Sequence, residues 1–255
     1  MNEATVRALI RRFAAAGLAD GDYGDISIAG GVWTIDAGAV TFAKVDPAAI
    51  VTEAEGITSN DNDTTIPTSA AVKAYADSVG RVLLATRTAS ASATLDFTEF
   101  NNAVFRRYEF ELENLLPATD DVALLFRTST NGGSSYDSAG GDYQWSVNGM
   151  NGAVAASSGS GSAGSVVLTG NTAGARPGNA AGEYGVTGVV NLFNAGNAAS
   201  ATDVQARISF MNASTAYSHY TVSGARVAAA DVDACRFQFN GANATSGTIR
   251  MFGIV

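Results

Sequence analysis

His219 is the only histidine among the 255 residues of this sequence, so nucleophilic catalysis by a Ser–His or Cys–His pair has a single possible base. It lies in Tyr217-Ser218-His219-Tyr220-Thr221, whose alternation predicts a strand with the imidazole on the solvent side. Glycoside hydrolysis needs two carboxylates that face each other across a substrate. Glu109, Glu111 and Glu113 instead share one face of a strand and decorate it, while Asp120 with Asp121, or Asp137 with Asp142, would have to meet across a groove. The Gly-rich segments lack a following Lys and helix, so no phosphate-cradling loop is expected. The reading is a chain without catalytic residues, cofactor or metal.

Binding chemistry is better represented. Asn131, Asp137 and Asp142 sit in a Gly/Ser loop that offers oxygens to a hard cation, but their spacing matches no established calcium loop, and turn capping by Asn and Asp accounts for them. Sugar recognition needs exposed aromatic faces beside a few polar groups. Asn131, Tyr136 and Asp137 provide that combination, with Tyr184 as a further candidate beyond the small-residue loop. Tyr136 is expected to be exposed. Tyr143 and Trp145 share parity with Val147 and are expected in the core.

The elements that position these residues are strands. Tyr108-Glu109-Phe110-Glu111-Leu112-Glu113 alternates cleanly between apolar and acidic. Further inward sets are Val122, Leu124 and Phe126; Val204, Ala206, Ile208 and Phe210; and Cys235, Phe237 and Phe239. A closing run spans Thr248 to Val255. Weaker runs lie near 83–88, 165–169, 186–193 and 217–222. Eight to ten alternating strands predict a mainly β fold in which residues 83–255 form an antiparallel, jelly-roll-like β-sandwich. Residues 148–182, almost all Gly, Ser, Ala and Asn apart from Val166-Val167-Leu168 and Arg176-Pro177, are expected to be loop.

The first third is patterned differently. Residues 1–20 read as an amphipathic helix, with Glu3 and Arg7 in the favourable order for a surface pair. Residues 21–63 read as an extended β connector of short runs separated by Gly30-Gly31 and Asp36-Ala37-Gly38. Such pieces are too few to bury Trp33, Ile35 and Phe42 without partners. Residues 64–82 read as a short coiled-coil helix with Val72, Tyr75, Val79 and Val82 on one seam, a trimerisation stripe too narrow for a monomer core.

Three stretches carry a family resemblance. Thr65-Ile66-Pro67-Thr68-Ser69-Ala70-Ala71-Val72-Lys73-Ala74-Tyr75-Ala76-Asp77 resembles the short helix that bacteriophage tail-fibre and spike proteins place before a distal domain. Residues 24–45, GDISIAGGVWTIDAGAVTFAKV, are similar to a connector in phage fibre and appendage proteins. Residues 116–145, with Pro117-Ala118-Thr119-Asp120, Arg127-Thr128-Ser129-Thr130-Asn131-Gly132-Gly133-Ser134-Ser135-Tyr136-Asp137 and Asp142-Tyr143-Gln144-Trp145, look like a distal β domain of such appendages. Asp121 stands where that pattern often has Gly. The resemblance implies a homotrimeric tail-fibre or head-spike subunit on the virion. Its N-terminal region would hold other virion proteins, and its β-sandwich would attach to host surface polysaccharide. A polysaccharide-depolymerising tail spike, or a purely structural adaptor or capsid decoration, stays open beside it.

Composition narrows the partners. Acidic residues outnumber basic ones 24 to 15, for a net charge of −9. Nucleic acid, which requires clustered Lys and Arg, is therefore not expected. Nine of the carboxylates fall between Asp20 and Asp63, against one Lys, as expected of a solvated surface. No run of about 18 apolar residues occurs, so no membrane insertion is expected. The charged start, Glu3 to Arg12, is unlike a secretory signal and suggests synthesis in a bacterial cytoplasm. The single cysteine, Cys235, alternates with Phe237 and Phe239 and reads as a small buried hydrophobe.

Overall fold

The computed structural model describes residues 80–255, preceded by the segments Gly21–Asp22, Ile26–Ala29, Val32–Ile35, Ile50–Val51, Ile66–Pro67 and Ser69–Ser78. The chain divides into two compact units, Met1–Ala76 and Asp77–Val255. The expected helix in residues 1–20 and the run Val40 to Val45 lie outside the described residues.

In the first unit β1 (Gly21–Asp22), β2 (Ile26–Ala29) and β3 (Val32–Ile35) pair in order as an antiparallel sheet, with Ile26 opposite Ile35. This is the hairpin that Gly30-Gly31 predicts. A short parallel pair joins β4 (Ile50–Val51) to β5 (Ile66–Pro67). The helix α1 (Ser69–Ser78) follows, with Val72 46% and Tyr75 38% exposed. The expected seam is cut short. Gly80 adopts a left-handed φ of 85°, and Val82 belongs to a strand of the second unit, where it is half-buried against the core; Val79 lies outside the described residues. A glycine takes that φ without the Cβ clash that other residues suffer, so the helical period gives way to a strand period there.

The second unit is an antiparallel β-sandwich of an eight-stranded and a four-stranded sheet. Its strands are β6 (Arg81–Thr88), β7 (Leu95–Phe97), β8 (Arg107–Pro117), β9 (Leu124–Ser129), β10 (Tyr143–Asn151), β11 (Val154–Ala163), β12 (Val166–Val167), β13 (Val186–Phe193), β14 (Thr202–Met211), β15 (Tyr217–Arg226), β16 (Ala234–Phe239) and β17 (Ala244–Ile254). The large sheet runs β11-β10-β15-β14-β13-β8-β17-β6 and the small one β12-β9-β16-β7.

The inward sets read from the sequence are the core. Tyr108, Phe110 and Leu112 are buried, as are Tyr143, Trp145 and Val147, and Val204, Ala206, Ile208 and Phe210. Phe110 of the large sheet meets Phe97 and Phe237 of the small one edge-to-face, with ring centres 5.3 Å apart in each case, and Phe126 lies 5.1 Å from Phe237. Each such ring contributes roughly 2–3 kcal/mol by leaving water. Cys235 is fully buried and unpaired, and burial pushes its thiol pKa well above the ordinary value.

One part of the expected loop is a strand. Val154–Ala163 pairs along β10 from Asn151↔Val154 to Tyr143↔Ala163, with a bulge beside Trp145. Its Ser/Gly composition carries no period-two signal, and backbone pairing to β10 alone makes it an edge strand. Among the described residues no helix is long and apolar enough to cross a membrane.

Candidate functional site

The loop that joins β9 to β10 holds three of the candidate binding residues, and each is tied into the sandwich. Asn131 Oδ1 accepts the Ser129 hydroxyl at 2.8 Å and the Ser135 N–H at 2.9 Å, while its amide Nδ2 donates to Ser135 Oγ at 2.7 Å. It caps its own turn, as Asn commonly does. Asp137 accepts Arg226 Nε at 2.6 Å, and its N–H donates to Thr128 O at 3.0 Å. Tyr136, expected to be exposed, is half-buried. The Arg236 guanidinium sits 4.0 Å from its ring centre, and Arg236 is itself held bidentately by Asp96 at 2.7 Å on both oxygens. One ring face is thus already covered. Desolvation first, then the charge of Asp96, pushes the Tyr136 phenol up to about 12, against a lesser opposing effect of Arg236.

Tyr184 is 75% exposed, but it is not part of that group. It precedes Val186, which pairs with Leu115, whereas Asp137 contacts Arg226, which pairs with Thr202 at the other end of the large sheet. The register separates these ends by about eight residues, roughly 27 Å along the strands. Asp120 and Asp121 accept backbone N–H groups of Asn179 and Gly174, so they organise the 171–185 loop. Asp121 holds φ at 56°, the left-handed conformation in which Gly is the unstrained residue. Asp142 accepts the Ala139 N–H at 2.7 Å and closes a turn. Among the described residues no group of three or more His, Cys, Asp or Glu could hold a metal ion.

The outer face of the large sheet divides in two. Across β6, β17 and β8 it is ionic: Arg81 bridges Glu109 at 2.8 Å and Glu111 at 2.6 Å, lies 3.4 Å from the Phe252 ring centre, and Arg250 holds Glu113 at 2.8 Å. The three glutamates do decorate a face, with arginine partners that the linear spacing does not reveal. Across β10, β15 and β14 the face is mostly uncharged and polar. The register aligns Ser146, Ser223 and Gln205 in one row, Asn148, Thr221 and Arg207 in the next, and Met150, His219 and Ser209 in a third. Tyr217, 60% exposed, faces Met211 beyond them. Arg207 forms no ion pair among the described residues.

Gln144, Ser146, Ser160, Gly161, Ser223 and Gly224 line a shallow depression of about 480 Å³ at the far end of these strands. Trp145 also borders it, and its buried indole N–H has no acceptor. From Gln144 to Met150 the strip is about 20 Å long. It offers hydroxyl and amide groups along its length and an exposed aromatic ring at one end. The sequence reading missed Tyr217, Ser146, Asn148, Thr221 and Ser223. Their outward parity was legible; their alignment across three strands was not. No protein family, no curated protein and no solved structure matches this chain.

Proposed function

We propose that this chain is the subunit of a trimeric virion appendage, and that its β-sandwich attaches the particle to host surface glycan without chemically altering it. The observation that carries this reading is the outer face of β10, β15 and β14. Side by side it presents Ser146, Asn148, Thr221, Ser223 and Gln205, with Tyr217 exposed at its end. Hydroxyl and amide groups exchange hydrogen bonds with sugar hydroxyls, and an exposed ring stacks on the apolar face of a pyranose. A flat strip suits a linear chain of sugars better than a closed pocket would.

The finer topology belongs to the same proposal. Setting aside β10, β11, β14 and β15, the remaining strands order as β13-β8-β17-β6 and β12-β9-β16-β7. Numbered one to eight along the chain, they pair first with eighth, second with seventh, third with sixth and fourth with fifth within or at the edges of the two sheets, the nesting of a jelly roll. The two inserted hairpin strand pairs then extend one sheet and supply the polar strip. The segments that resemble phage fibre connectors supply attachment and register, and three weak sites on one trimer act through effective concentration.

Glycan-array binding by the full chain, paired with a reducing-end assay on the bound polysaccharides, tests the reading. Binding without released oligosaccharide is expected. Silence across host polysaccharides would favour a structural adaptor, and released oligosaccharide a depolymerase.

A further inference from the structure

We infer that a second polar pocket, between the 102–106 loop and the turn after β13, binds the carboxylate of an acidic sugar. This deepens the glycan-binding reading and rests on it. The pocket, about 360 Å³, is lined by Asn102, Phe105, Arg106, Asn194, Gly196 and Asn197 among others. That volume falls in the lower range of small-ligand sites.

Its wall is preorganised. Asn102 donates to Asp231 Oδ1 at 2.7 Å and Val232 O at 2.9 Å, and accepts the Tyr108 hydroxyl at 2.9 Å. Gly196 fits against it so closely that an added Cβ would lie 2.5 Å from the Asn102 Cβ. Asn194 holds a left-handed φ of 60°, and its carbonyl accepts the Asn197 N–H at 3.1 Å. The Arg106 backbone is fixed by donation to Ile254 O at 2.9 Å.

The binding groups, by contrast, are uncommitted. The Arg106 guanidinium and the Asn194 amide belong to lining residues and make no hydrogen bond or ion pair among the described residues, while Asp231, outside the lining, is engaged by Asn102. Most described arginines of this sandwich are committed: Arg81, Arg87, Arg226, Arg236 and Arg250 to carboxylates, and Arg127 to a carbonyl. A free, forked guanidinium beside amide donors is the geometry that accepts a carboxylate bidentately while the amides hold ring hydroxyls. A uronic acid unit presents both.

Titration of the full chain with galacturonate and glucuronate oligosaccharides, against neutral oligosaccharides of the same length, tests this by ligand-observed NMR and calorimetry. At least one uronate series is expected to bind about ten-fold or more tightly than its neutral counterpart. Arg106→Gln should remove that preference, about a ten-fold loss from a lost charge-assisted pair, with neutral binding and thermal unfolding unchanged. Asn194→Gly, which keeps the left-handed turn, should cost a smaller part of the same preference. Equal affinity for acidic and neutral chains, absence of uronate binding, or full retention of the preference in Arg106→Gln overturns the inference. Neutral-glycan binding that survives those outcomes leaves the broader reading standing, whereas loss of all glycan binding removes both.

Discussion

Arg236 lies over Tyr136, its guanidinium 4.0 Å from the ring centre, and Asp96 grips the same guanidinium with both carboxylate oxygens. This stack joins the loop before β10 to the small sheet. It converts an apparent sugar platform into a packing contact. Tyr136→Ala should therefore lower stability by about 1–3 kcal/mol, from lost ring burial and a partly desolvated cation–π contact. Chemical denaturation measures it. Unchanged unfolding with weakened glycan attachment would return Tyr136 to the binding surface.

On the proposed glycan-binding reading, Tyr217 is the ring placed to contact a ligand. Tyr217→Ala is expected to weaken glycan binding by about ten-fold, the effect of losing one anchor residue, while thermal unfolding stays put, since the side chain is 60% exposed. Equal array signals for the variant and the parent chain would remove the strip of β10, β15 and β14 from consideration.

Alkaline pH should unfold the sandwich through its tyrosines. Burial pushes Tyr108, Tyr136 and Tyr143 up to about 12, in each case chiefly by desolvation of the phenolate. The unfolded chain releases these protons near 10, so the stabilising difference is fully present below pH 10 and is lost as the pH rises towards 12. Stability followed by denaturant midpoints should fall across that window, and absorbance at 295 nm should show late ionisation. Tyr143→Phe, which also removes the hydroxyl that accepts Thr128 N–H at 2.7 Å, should make the fall shallower.

Asp121 separates backbone strain from hydrogen bonding. With φ at 56° and both carboxylate oxygens on the Gly174 N–H, the position favours Gly for its backbone and Asp for its loop contact. Asp121→Ala loses both advantages, so it should destabilise by about 1 kcal/mol more than Asp121→Gly. Equal midpoints for the two variants would show that the left-handed conformation costs nothing here.

Association of the full chain is expected to give the mass of three chains in sedimentation equilibrium. Val72→Asp, at a helix position 46% exposed in the isolated chain, should shift that equilibrium towards monomer without changing the unfolding of the sandwich. A monomeric parent chain would overturn the appendage reading.

The sandwich core was legible because burial on one face of a strand writes itself as alternation: Tyr108, Phe110 and Leu112, or Val204, Ala206, Ile208 and Phe210, all point inward as their spacing requires. The hairpin at Gly30-Gly31 was equally plain, since two glycines between apolar runs leave few other backbones. β11 was not, because Ser and Gly carry no hydrophobic period and its strand exists only through pairing with β10. Val82 shares helical spacing with Val72 and Tyr75, but Gly80 breaks the helix, and β17 claims Val82 through its pairing with Gly253.

For the candidate site the division is sharper. Residue types alone pointed to hydrogen bonding and stacking as the expected chemistry, with His219 as the single imidazole. They also placed Tyr143 and Trp145 inside, because parity is a local property. Which exposed groups stand together was decided only by the tertiary structure. Asn131, Tyr136 and Asp137 are neighbours in sequence, yet long-range partners such as Arg236 and Arg226 engage them, while Asn148 and Thr221 become neighbours only through strand register. Register is set by the summed burial of whole strands, and no single segment carries that information.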